Sequence, residues 1–179
     1  MQFNTYTSAG AHIAAALVND PAADERAVAG LLAGFEVHDP APAGPQLAAL
    51  RAWTARLREV FDAADPDTQA GTVDRLLRAS DCRPGLVSHD GQPYHLHYAP
   101  VTTDLVARVK ALTAAGLAHV IAEGGGHRIR GCQRPECANV FVDVSRNGGR
   151  CFCGVRCANQ VNVARHRARR RGGAPEGER

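Results

Sequence analysis

The stretch Gly131–Gln160, GCQRPECANVFVDVSRNGGRCFCGVRCANQ, holds five of the six cysteines of the 179-residue chain. Cys132 and Cys137 stand as C-x4-C, Cys153 and Cys157 as C-x3-C, and fifteen residues separate the two pairs. Thiolates are preferred ligands of structural Zn²⁺, and two short pairs at such a separation let each pair grip one tetrahedral ion from a tight turn. VFVDVS reads as a strand and RNGG as a turn, so the segment between the pairs is expected to fold as a hairpin. Four thiolates close the coordination sphere, which makes the ion structural and leaves no open position for a catalytic water. Cys151 stays open as an alternative to Cys153, because residues two apart in extended backbone point to one face.

A strand, HRIR, leads into the first pair, and a helix begins at the last cysteine; strand, knuckle, hairpin, knuckle, helix is the order of a treble-clef-like finger. A segment of about 40 residues buries too little apolar surface to offset its chain entropy, so bound Zn²⁺ supplies folding energy. The helix runs on into ARHRARRR, and its Val161, Ala164 and Ala168 make a narrow apolar seam suited to docking. The other faces carry Asn162, Arg165, His166, Arg167, Arg169, Arg170 and Arg171. Phosphates are the natural complement of such a row of guanidinium groups. Duplex DNA is expected as the partner, since Phe141 and Phe152 are the segment's only aromatics and stacking platforms for single strands need more. Asn159, Gln160 and Asn162 are the side chains placed to read groove edges. A purely solvated charge run, or a grip on an acidic protein, is the competing reading.

Charge separates the chain into two parts. Residues 1–126 carry nine Lys/Arg against fourteen Asp/Glu, a balance of −5, whereas 127–171 carry eleven Arg against Glu136 and Asp143, a balance of +9. The triple glycine Gly124–Gly126 marks the boundary, and 172–179, GGAPEGER, reads as a disordered tail. The first part reads as mainly helical. SAGAHIAAALVND, with Ser8 as its cap, stops at Asp20-Pro21, and AADERAVAGLLAGF makes a second helix. QLAALRAWTARLREVFDAAD sets Leu47, Leu50, Trp53, Thr54, Leu57 and Phe61 on one stripe, with Trp53 as a core anchor. Asp65-Pro66 launches a fourth helix as cap and first residue. GLVSHDGQPYHLHYAP alternates on either side of Asp90-Gly91, the signal of a β-hairpin. A long helix then starts at Thr102 or Thr103 and runs to the glycines.

No segment reads as a membrane span or a secretory leader, so a cytoplasmic protein is expected. No GxSxG, HExxH or phosphate-cradling glycine motif is present, and no enzyme activity is expected. His89, His95 and His97 surround the hairpin without a carboxylate or cysteine to complete a metal site, and Cys82 reads as a lone packed thiol.

The C-x4-C pair, VFVDVSRNGGR at 140–150 and CANQVNVARHRARR at 157–170 resemble the CGNR zinc fingers, which follow an N-terminal ABATE domain in bacterial stress-induced transcription regulators. AALVND also resembles a segment of that N-terminal domain. The resemblance implies a four-cysteine zinc site, DNA binding through the finger, and a regulatory domain over 1–126 that senses a signal, a small molecule or a protein partner. Ala158 and Gln160 stand where the family has Gly and Arg, and the second cysteine pair is one residue wider than usual. The expected fold is therefore α+β, a helical domain with a β-hairpin followed by a small zinc finger that ends in a basic helix.

Overall fold

The computed structural model describes residues 5–35, 37–88, 91, 94–100 and 103–172. It is an α+β fold, in which the described residues form α1 (Thr5–Asn19), α2 (Glu25–Ala33), α3 (Gly44–Phe61), α4 (Pro66–Ala79), β1 (Gly85–Val87), β2 (His95–His97), α5 (Leu105–Gly124), β3 (Ile129–Gly131), β4 (Val140–Val142) and α6 (Val155–Gly172). Each strand pair is antiparallel, with Leu86 opposite Leu96 in one hairpin and Arg130 opposite Phe141 in the other.

Helices α1 and α5 form the centre. They cross where Gly10 meets Gly116: a Cβ on Gly10 would lie 2.0 Å from the Leu112 carbonyl oxygen, and one on Gly116 would lie 2.4 Å from the Ala11 nitrogen. Glycine is usually unfavourable inside a helix, but here it lets two backbones touch. The residue expected to cap α1, Ser8, is instead buried three residues inside it, because the helix already starts at Thr5. Around this pair pack α3 and α4. The stripe Leu47, Leu50, Trp53, Thr54, Leu57 and Phe61 is buried as its period predicts. The Trp53 indole N–H donates to Thr113 Oγ1 on α5 at 3.0 Å, so the largest core side chain keeps its polar atom satisfied. Asp65 caps α4, accepting from the Thr68 amide at 2.8 Å.

Helix α5 starts two or three residues later than its sequence suggests. Asp104 is the cap, its carboxylate accepting from the amides of Val106 and Ala107, while Gly125 at φ 78° ends the helix. By length and composition α5 is apolar enough to cross a membrane, contrary to the reading from sequence. In this fold that character serves burial: Val109, Leu117 and Val120 are fully enclosed. The turn of the first hairpin, including His89 and Asp90, lies outside the described residues.

The core does not stop at the glycines. Ile129, Val140 and Val142 from the second hairpin belong to the same buried cluster as Ile13, Leu17 and Leu57. Polar pins reinforce the join. The Asn19 side-chain amide donates to the Val140 carbonyl at 2.9 Å and accepts the Val140 N–H at 2.7 Å, acting as a one-residue strand partner for β4. Arg58 on α3 donates to the Ala138 carbonyl at 3.1 Å, and buried Gln69 donates to the carbonyls of Val60 and Ile129.

The hairpin expected between the two cysteine pairs is placed differently. β4 pairs backwards with β3, so the first cysteine loop is itself the hairpin's turn. RNGG does turn, with Gly148 at φ 60°, but the chain after it makes no strand. Asp143 supplies the reason. Its enclosed carboxylate accepts the amides of Ser145 at 2.9 Å and Arg150 at 2.7 Å, taking up donors that a returning strand would have offered to a ladder.

Candidate metal centre and basic helix

The first cysteine knuckle is a tight loop closed by backbone bonds. The Cys132 amide donates to the Asn139 carbonyl at 2.8 Å and the Cys137 amide to the Arg134 carbonyl at 3.1 Å, with Glu136 in the left-handed region at φ 64°. The second knuckle runs from Cys153 into the first turn of α6, where Cys157 is buried. The Gln133 amide, bonded to the Cys151 carbonyl at 2.9 Å, holds the two knuckles against each other.

This brings the sulfurs of Cys132, Cys137, Cys153 and Cys157 within 4.8 Å of one another. Cys137 and Cys153 are 3.8 Å apart, Cys153 and Cys157 3.5 Å, and Cys137 and Cys157 3.8 Å. A tetrahedral Zn²⁺ with Zn–S bonds of about 2.3 Å separates its ligands by ~3.8 Å, so the four sulfurs fit one ion. Cys151 falls outside the group, its sulfur turned to the Gly149 carbonyl at 3.4 Å.

The surroundings suit thiolate ligands. Arg134 Nε donates to Cys157 Sγ at 3.2 Å, the Cys153 amide to Cys132 Sγ at 3.4 Å, and Asn139 Nδ2 approaches Cys153 Sγ at 3.9 Å. The thiols are unequal without a cation. The Asn139 amide, helped by neighbouring donors, brings Cys137 down to about 7, whereas burial and the surrounding sulfurs push Cys153 up to about 12. Zn²⁺ supplies the positive charge that lets all four stand together as thiolates. Cys82, far from this group, has its pKa raised by burial, the character of an inert packed thiol.

Behind the metal centre lies a charged lattice. Asp143 also takes Arg130 Nη2 at 3.1 Å, while Arg128 donates to the carbonyls of Asp143 and Ser145. Burial pushes the Asp143 carboxyl up, but the donors from Ser145, Arg150 and Arg130 outweigh it and leave its pKa below 3.8. Phe141 is buried, with the Arg150 and Arg130 guanidinium carbons 5.0 and 5.9 Å from its ring centroid, and is a packing residue.

Helix α6 leaves this base and extends into solvent. Asn159, Gln160, Asn162, Arg165, His166, Arg167, Arg169 and Arg170 are all exposed, and the guanidinium groups of Arg165, Arg167, Arg169 and Arg170 form no hydrogen bond or ion pair among the described residues. Arg171 lies in the last turn of the helix, and its side chain is outside the described residues. The expected docking seam does not dock within the chain: Val161 is half-buried, but Ala164 and Ala168 are exposed. Two alanines offer too little apolar area to hold a highly charged helix against a body. At the first hairpin, His95 Nε2 and His97 Nε2 lie 3.1 Å apart on one face of β2.

A closed four-thiolate centre on two knuckles, with a hairpin before it and a helix after it, defines a structural zinc-finger module. Residues 128–170 match the CGNR zinc finger family. No curated protein matches the chain.

Proposed function

We propose that the protein is a DNA-binding transcription regulator whose zinc finger fixes the base of α6 so that its arginines meet duplex phosphates. The observation that carries this reading is the state of the helix: four guanidinium groups stand exposed on a rod anchored at a metal ligand, with no partner among the described residues. A guanidinium group held in this way supplies the donors that phosphates accept, and a fixed base limits the entropy lost on binding. Asn159, Gln160 and Asn162, nearest the metal, are proposed to face base edges, and Arg165, His166, Arg167, Arg169, Arg170 and Arg171 the backbone.

Residues 1–126 are proposed to be an ABATE-like regulatory domain that senses a signal, and the protein to act in the cytoplasm without enzymatic turnover. The test is duplex binding by the zinc-loaded chain across a salt series. Five phosphate contacts give a slope of log K against log[salt] of about −4.5, and Arg165→Ala with Arg169→Ala reduces its magnitude by ~1.8. Absence of any duplex complex at low salt refutes the reading. The exposed helix also suits an acidic protein surface; a single acidic partner bound by a chain with no DNA affinity identifies that adaptor role instead.

A further inference from the structure

Between α1 and β4 an open groove of about 420 Å³ runs along the join of the two parts of the chain, lined by His12, Ala16, Phe35, Phe141, Arg150 and Cys153 among others. Its volume lies within the ~300–1,000 Å³ typical of small-molecule sites. Among the described residues the lining is chemically one-sided. Ala16, Phe35 and Phe141 give it apolar surface, Arg150 a fixed cation and His12 an imidazole, and no carboxylate lines it among the described residues. Arg150 donates through Nε to the Phe152 carbonyl at 2.8 Å and through Nη2 to the Cys153 carbonyl, leaving Nη1 without a hydrogen bond among the described residues. The His12 ring is likewise unpaired there. Burial, with the Arg150 charge adding to it, lowers the His12 pKa, and Arg150 is the permanent positive charge of the groove.

We infer that this groove is an effector site for a small organic carboxylate with an aromatic or short aliphatic body. The apolar lining disfavours inorganic phosphate, and the Arg150 charge disfavours a neutral hydrocarbon. A ligand there touches one pin of the join and a bond that shapes the second knuckle of the finger. Asn19, whose amide pairs with β4, lines the groove, and Arg150 grips the carbonyl of the metal ligand Cys153. Occupancy therefore bears on how α1 holds the zinc finger. The effector role rests on the sensor reading above; binding of the carboxylate does not.

The experiment is a titration of the ¹⁵N-labelled, zinc-loaded full chain with butyrate, benzoate and phenylacetate, each beside its neutral amide, followed by two-dimensional NMR. At least one carboxylate is expected to shift the Asn19 side-chain amide and the Val140 and Cys153 backbone amides saturably, binding ~10-fold more tightly than its amide. Arg150→Gln should erase that preference, and Ala16→Leu, which fills the groove, should abolish the shifts while zinc stays at one per chain. If Arg150→Gln releases zinc, the acid-to-amide ratio in the parent chain and Ala16→Leu decide. Equal response to acid and amide, shifts that map elsewhere, shifts that persist in Ala16→Leu, or no saturable shift with any of the six compounds overturns the inference. No DNA is present, so a groove that titrates in a chain without duplex affinity leaves the site standing and removes only the regulator reading. A silent groove in a chain that binds duplex removes only the site.

Discussion

Cys153 and Cys151 show what a single residue decides here. Both sulfurs are in reach of the metal by sequence, yet one joins the tetrahedron and the other turns to a carbonyl. Cys153→Ser is expected to release the zinc and Cys151→Ser to retain one ion per chain, as read by native mass spectrometry. Asn19 is a second such position. Asn19→Ala removes two hydrogen bonds to β4 and should cost about 1–2 kcal/mol in urea unfolding of the zinc-loaded chain. Asp143→Asn strands buried donors and should cost about 3 kcal/mol. The sign with pH follows from a folded pKa held below 3.8: the Asp143 contribution is complete above about pH 4 and is lost as pH falls through the folded value. Acid titration of stability in the Asn variant should lack that component.

Among the elements, the α1–α5 crossing is the least forgiving contact. Gly116→Ala forces a methyl into the α1 backbone and should lower stability by about 2 kcal/mol. Gly30→Ala in α2 meets nothing within 4 Å and should raise it by about 0.5–1 kcal/mol. The comparison, by thermal or urea unfolding, separates close packing from helix propensity. Helix α6 lies at the other extreme. An 18-residue helix with few apolar contacts is marginal in water, so its order depends on the metal-bound first turn. The amphipathic stripe of α3 and the Asp65-Pro66 start of α4 were legible because both signals are local in the chain. The displaced hairpin was not, since the Asp143 carboxylate outcompetes the ladder through a contact that no strand propensity encodes.

In the whole molecule, the acidic and basic parts share one core, with Ile129, Val140 and Val142 packed into the helical body. Unfolding of the zinc-loaded chain is therefore expected to be a single transition by calorimetry, and chelation should lower its midpoint throughout instead of melting the finger alone. A chain that loses α6 helicity on chelation with its main transition unmoved would show the core to be less continuous than this packing implies. The same continuity sets the groove, with the Asn19 pin in its wall, between the metal centre and α1.

By itself the sequence determined the metal chemistry, the helical character of the first 126 residues and the exposed basic face, because knuckle spacing, helix period and charge runs are expressed within a few residues. The tertiary structure decided which sulfurs meet, how two glycines bring α1 against α5, and how Asn19 reaches Val140 across 121 positions of chain. Those contacts form between residues far apart in sequence, and their geometry is fixed only when the shared core closes around them.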